Sequence, residues 1–178
     1  MPHLLVTGPS GCGKSYFARV LGERGYATFD SDAIPGLAAW HDSHGGSVPT
    51  PASLDMDFVT THRLLWDKRV LRAWLSAHPV AVLFGISHNS AEQTALFDLA
   101  ALIEAPLEEI LRNLVDERRA NAFGHPIDHV KMARPDTADY YQRAPGEWLR
   151  LPERDPDELI AHLQRATGNS LRLPSART

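Results

Sequence analysis

The eight residues GPSGCGKS, Gly8 through Ser15, constrain this chain more than any other stretch. They follow an apolar run, HLLVT, and lead into KSYFARVLGERG, which carries apolar residues at helical spacing. The pattern is G-x-x-x-x-G-K-S in a strand–loop–helix context. Glycines let successive backbone N–H groups turn inward around a phosphate, and the helix N-terminus adds its partial positive charge. Lys14 is placed to reach β- and γ-phosphates, and the Ser15 hydroxyl to ligate Mg²⁺. The candidate cofactor contacts are therefore Gly8, Pro9, Ser10, Gly11, Cys12, Gly13, Lys14, Ser15 and Tyr16, and the implied ligand is ATP with Mg²⁺. A glycine-rich turn without a ligand is the alternative, and the flanking strand and helix weigh against it.

The rest of the chain alternates short apolar runs with amphipathic stretches, which predicts an α/β fold on a mostly parallel sheet. Strands are expected at HLLVTG, YATFD, VAVLFG (80–85), LAALIEA (99–105) and EWLRL (147–151). VAVLFG is apolar at nearly every position, as a strand buried on both faces requires. Helices are expected after Lys14, over 58–77, from Leu107 (with Ile110, Leu111, Leu114 and Val115 on one face) and from Asp155. Asp155 followed by Pro156 and two acids reads as an N-cap with proline at the first helical position. Residues 33–57, rich in Gly, Pro, Ser and His, read as a long loop, and 118–146 as a mobile flap with short helices. Excursions of that length inside a compact domain tend to be functional. Residues 169–178 read as a frayed tail.

With 178 residues and 43% hydrophobic content, the chain can bury one proper core, so 1–168 is expected to form a single domain. A formal net charge of −4 argues against a general nucleic-acid binder. No apolar run approaches the roughly 20 residues that cross a bilayer, and MPH leads directly into a strand with no room for a signal peptide. Cys12 is the only cysteine, so no internal disulfide can form. A cytoplasmic location is the simple expectation. The nine histidines include H-x-x-H at 41–44 and H-x-x-x-H at 125–129, but neither has a cysteine or acid at zinc-site spacing.

No N-K-x-D guanine-reading motif is present, and VAVLFG ends without the acid of a Walker-B strand. The acids that could serve instead are Asp30 and Asp32 in FDSDAIPG. If strand geometry persisted to that point, residues i and i+2 would face the same cleft, beyond the carboxyl ends of the parallel strands. One could hold Mg²⁺ through water while the other orients a substrate hydroxyl. Closing a turn or capping a helix is the competing reading of the same pair.

Taken together, GPSGCGKS, FDSD and ERRANAFG resemble the small P-loop kinases grouped around shikimate kinase, gluconate kinase and adenylate kinase. The resemblance spans most of the chain in order, and its first motif is the specific one. It implies a three-layer fold with a five-stranded parallel sheet in order 2-3-1-4-5, an acceptor-binding region over 33–77 and a closing lid over 118–146. It implies that Ser15 and Asp30 take the metal side and Asp32 the acceptor side. Gly85 and the following ISHN, with His88 and Asn89, would line the acceptor pocket. Arg118 or Arg119 would be the lid arginine over the transferring phosphoryl group, with Arg112 and Arg134 as weaker candidates. The loop PERDP (152–156) would wrap the adenine. HRLLWD (62–67) is only loosely similar to the group's acceptor-binding pattern, and 33–57 matches no member.

On the acceptor side, Trp40 could stack on a sugar or base, or anchor its loop to the body. Arg63 could hold an acceptor carboxylate or phosphate, or lie on the surface. Trp66 and Trp74 are expected in the core of the 58–77 helix. The reading is a small-molecule kinase with Lys14, Asp32 and Arg118 or Arg119 as catalytic residues, acting as a monomer or homodimer. A nucleoside or nucleotide kinase and a non-catalytic ATP-binding regulatory module are its two rivals.

Overall fold

The computed structural model describes residues 2–51, 54–115, 147–168 and 171. Strand β1 (His3–Thr7) leads into helix α1 (Lys14–Glu23), then β2 (Thr28–Asp30) and a 3₁₀ turn at Ser31–Ala33. Next come β3 (Ala38–His41), β4 (Ser47–Val48), α2 (Met56–Thr61), β5 (Arg63–Trp66) and α3 (Lys68–Ala77). The chain continues through β6 (Ala81–Phe84), a 3₁₀ stretch at Ser90–Leu96, β7 (Leu99–Ile103), α4 (Leu107–Val115), β8 (Leu149–Leu151) and α5 (Pro156–Ala166).

Five of these strands form a parallel sheet in the order β2-β6-β1-β7-β8. Counted among themselves in chain order, they run 2-3-1-4-5, as the resemblance to small P-loop kinases implied. The central strands are apolar because both their faces are covered. Leu4, Leu5, Val6, Leu83 and Phe84 are completely buried. Alternation along β1 divides them: Leu4 and Val6 join Phe17, Leu21, Ile110, Leu159 and Leu163 on the α1/α4/α5 side. Leu5 joins Leu37, Trp66, Leu71 and Leu75 on the opposite side, where α3 lies. The sheet is thus the middle of three layers.

Three expectations from the sequence need correction. Residues 33–57 are more than a loop: β3 and β4 form a hairpin, and β5 completes a second, antiparallel sheet in the order β4-β3-β5. The hairpin turn is closed by Asp42, which accepts from the backbone of His44 and Gly46, both at 2.9 Å. Nor do residues 58–77 form one helix. The chain is extended at His62, runs as β5, and starts afresh at Asp67. The Asp67 carboxylate accepts from Arg69 N–H at 2.6 Å and Val70 N–H at 3.3 Å, an N-cap inside the stretch assigned to a continuous helix. The last strand is also shorter than expected, with Glu147 and Trp148 preceding β8.

The N-cap expected at Asp155 is present: its carboxylate accepts from Asp157 N–H at 2.8 Å and Glu158 N–H at 3.3 Å, and Pro156 opens α5. Among the described residues, no helix is long and apolar enough to cross a membrane.

Candidate functional site

The loop from Gly8 to Gly13 leaves the carboxyl end of β1 and delivers the chain into α1. Its glycines are required by space as well as by backbone angle. Gly11 sits at φ 87°, and a Cβ there would lie 2.9 Å from the Ile110 carbonyl oxygen and 3.0 Å from Leu114 Cγ. A Cβ on Gly8 would lie 2.6 Å from Cys12 Sγ. The loop is therefore pressed onto α4 and onto its own cysteine, which is completely buried. Gly13 stands at the N-cap of α1 with no side-chain cap, which leaves the first amides of that helix to a ligand.

Lys14 is half-buried and folds back over the loop. Its Nζ donates to the Gly8 carbonyl at 2.6 Å and the Pro9 carbonyl at 3.0 Å, with Cys12 Sγ 3.9 Å away. Ser10, Ser15 and Tyr16 are exposed. Tyr16 meets Phe17 edge-on at 5.4 Å, and the Arg19 guanidinium lies 5.9 Å from its ring centre.

Two side chains from elsewhere hold the back of this loop. Asn113 of α4 donates from Nδ2 to the Gly11 carbonyl at 2.8 Å. Arg154, just after β8, donates from Nη1 to the Cys12 carbonyl at 3.4 Å. The sequence carried no sign of either contact. Arg154 lies in PERDP, which the sequence reading placed around adenine as a whole, and Asn113 looks like any polar residue of an amphipathic helix.

The acidic pair departs from the expected strand geometry. β2 ends at Asp30, and the chain turns at once into Ser31–Ala33. The Asp30 carboxylate caps that turn, accepting from Asp32 N–H at 3.0 Å. The two side chains are thus brought together by a turn rather than by the i, i+2 rule of a strand. Asp32 is solvent-exposed, yet the protein around its carboxyl raises its pKa above the ordinary 3.8, and the neighbouring Asp30 charge raises it further. Lys14 and the Ser31 hydroxyl act in the opposite direction. Asp32 therefore feels the charges of Asp30 and Lys14 at the carboxyl ends of β1 and β2.

The remaining acceptor-side candidates fall into three groups. Gly85 follows β6 and is buried: a Cβ there would come within 2.8 Å of Trp66 Cζ2 and closer still to the Ser31 side chain. His88 and Asn89 are engaged with β5. His88 N–H donates to the Leu64 carbonyl at 2.9 Å, and Leu64 N–H donates to His88 Nδ1 at 2.9 Å. The Asn89 amide accepts from Trp66 N–H at 2.9 Å and donates to the Trp66 carbonyl at 3.1 Å, while Ser87 Oγ donates to Asn89 Oδ1 at 2.9 Å. Trp40 is buried on β3 against Phe58 at 5.2 Å and His88 at 6.5 Å between ring centres, so it packs on the body.

Arg63 pairs with His41 across β3 and β5, while Leu64 pairs with Trp40 and Trp66 with Ala38. By strand alternation Arg63 and His41 share the face away from Trp40 and Trp66, and Arg63 is exposed. Trp66 is buried on β5, and its indole N–H has no partner among the described residues. Trp74, half-buried on α3, meets Phe29 at 4.9 Å and stacks on His78 at 4.2 Å. Arg118, Arg119 and Arg134, with the whole expected lid over 118–146, lie outside the described residues.

The Ser15 hydroxyl and the Asp30 and Asp32 carboxylates are hard oxygen donors of the kind Mg²⁺ takes, and that ion binds through few protein groups when phosphates are present. Among the described residues no group of three or more His, Cys, Asp or Glu side chains comes together to hold a metal, so these oxygens would have to act with ligand phosphates.

No family model matches the chain, and no curated protein matches it. Solved structures do. A sugar kinase from Janibacter sp. HTCC2649 is 14% identical, with 98% of this chain and 99% of that chain covered and a TM-score of 0.54. TT1252 from Thermus thermophilus is 16% identical, with 95% and 97% covered and a TM-score of 0.50. The chain has the fold of small P-loop kinases.

Proposed function

We propose that this chain is an ATP- and Mg²⁺-dependent phosphotransferase that moves the γ-phosphoryl group of ATP to a hydroxyl of a small metabolite. The observation that carries the reading is the Gly8–Ser15 loop itself, with Gly13 as an uncapped N-cap of α1 and the Lys14 ammonium folded over the loop onto the Gly8 and Pro9 carbonyls. Lys14 and the Asp30–Asp32 pair both stand at the carboxyl ends of the sheet strands, after β1 and at the end of β2. The sugar-kinase likeness supports the same class.

In this mechanism the loop amides and Lys14 hold the β- and γ-phosphates, Lys14 exchanging its bonds to the Gly8 and Pro9 carbonyls for phosphate oxygens. Ser15 and Asp30 would hold Mg²⁺, which supplies charge neutralisation between the phosphates. Asp32 accepts the acceptor's hydroxyl proton as that oxygen bonds to the γ-phosphorus. The bond from phosphorus to the β,γ-bridging oxygen breaks and ADP leaves. A lid arginine, Arg118 or Arg119, would cover the phosphoryl group and exclude water. The 33–77 region would shape the acceptor side, with Arg63 exposed on it and His88 and Asn89 holding β5 in place.

The test is ADP release with Mg-ATP across polyol acids, sugars, nucleosides, nucleoside monophosphates and hydroxylated antibiotics. One acceptor class is expected to stimulate release, with the signal lost in Lys14→Ala and reduced by at least about a hundredfold in Asp32→Asn. Unchanged turnover in Lys14→Ala would overturn the mechanism. ATP binding without acceptor-dependent release would favour a regulatory module.

A further inference from the structure

We propose that Arg154 is a positioning residue that sets the phosphate loop from behind, with Asn113 as its second brace. The inference rests on the reading of Gly8–Ser15 as a phosphate loop and adds the parts that hold it in shape. Arg154 spends nearly its whole guanidinium on backbone carbonyls. Nε donates to Pro152 O at 3.1 Å, Nη1 to Cys12 O at 3.4 Å, and Nη2 to Glu104 O and to Leu151 O at 3.4 Å. Glu109 of α4 lies 3.7 Å from Nη1 and balances the charge. One side chain therefore ties together the phosphate loop, the ends of β7 and β8, and the start of α4. Its donors are committed to the protein, which leaves it no fork for a nucleobase or a phosphoryl group.

The geometry of the peptide unit explains what this does. In a trans peptide the C=O and the following N–H point in opposite directions. Arg154 holds the Cys12 carbonyl on the outer side, so the Gly13 N–H of the same peptide is directed away from Arg154. Gly13 is the uncapped N-cap of α1. Asn113 holds the next carbonyl back, that of Gly11, and the N–H of that peptide, on Cys12, closes the loop on Pro9 O at 3.2 Å. Carbonyl oxygens turned toward a phosphate would repel it, and the two donors keep these two turned out. Lys14 also caps carbonyls, those of Gly8 and Pro9, but its bonds must open for a ligand. The Arg154 and Asn113 bonds need not. Lysine cannot replace Arg154 here, because a single ammonium lacks the planar fork that spans three segments.

The experiment measures Kd for Mg-ATP and for inorganic tripolyphosphate on wild type, Arg154→Lys and Asn113→Ala, well below each protein's melting temperature. Tripolyphosphate carries the phosphates without the base. The inference expects Arg154→Lys to weaken both ligands by the same factor, about tenfold, and Asn113→Ala to weaken both by about threefold. Weakening of ATP alone would mean that Arg154 meets the base, and would overturn the proposal. So would unchanged affinity for both ligands in the two variants. If Arg154→Lys does not fold, Asn113→Ala is judged by the same criterion. Wild type binding neither ligand would overturn the phosphate-loop reading and this inference together, whereas failure of the brace alone leaves wild-type binding intact.

Discussion

Asp32 carries a stability cost set by its surroundings. Its folded-state pKa lies above 3.8, first because the surrounding protein partly desolvates the carboxyl and then because of Asp30. Well below 3.8 the group is neutral in folded and unfolded chains alike, and costs nothing. As pH rises past 3.8 the unfolded chain ionises first, so the fold loses stability until the folded group has ionised too. Asp32→Asn is therefore expected to melt higher than wild type at pH 7, with the difference vanishing in melts taken well below pH 3.8, while acceptor-dependent turnover falls. A variant that melted lower at pH 7 would show that the carboxylate stabilises the fold instead. This is the trade between stability and activity expected of a site residue. Gly85 is the opposite kind of residue: Gly85→Ala forces a methyl group into Ser31 and Trp66 and is expected to cost about 1–3 kcal/mol in denaturant titrations. The strand–loop–helix at Gly8–Ser15 was legible in the sequence because all its parts are neighbours along the chain. Its braces were not, since Asn113 and Arg154 lie 102 and 142 positions from the carbonyls they hold.

Among the elements, β5 depends on a substitute for a neighbouring strand. One side pairs with β3, and on the other the 87–89 segment supplies His88 and the Asn89 amide as hydrogen-bonding partners. Asn89→Ala leaves the buried Trp66 backbone unpaired and is expected to cost about 1–3 kcal/mol. Amide exchange at Trp66 should accelerate more than at Leu4 on β1, and uniform acceleration across both sheets would contradict this local role. The same element shows why part of the fold stayed hidden in the sequence. RLLW is too short for its period to separate strand from helix, and the partner AAWH pairs with it only through the fold. VAVLFG was legible because a strand buried on both faces leaves a long apolar run. The D-x-D pair was correctly grouped for the wrong reason: β2 stops at Asp30, and a capped turn brings the acids together.

For the molecule as a whole, the parallel sheet divides the interior into two cores that share little besides the sheet itself. Leu163 belongs to one and Leu71 to the other, and both are completely buried. Each Leu→Ala change is expected to cost about 2–5 kcal/mol, and the double variant to equal the sum within about 0.5 kcal/mol by denaturant unfolding. A larger departure would mean that the sheet transmits strain between the layers. Several of the named groups leave the same end of that sheet: the loop after β1, the acids at and after the end of β2, Gly85 after β6 and Arg154 after β8. Trp66 sits beneath them, buried against the Gly85 backbone with its indole N–H unmatched. A shielded indole emits toward the blue and responds to any dipole that arrives beside it. The buried Trp66 indole would thus report on what binds beside Gly85, against a background from the chain's three other tryptophans.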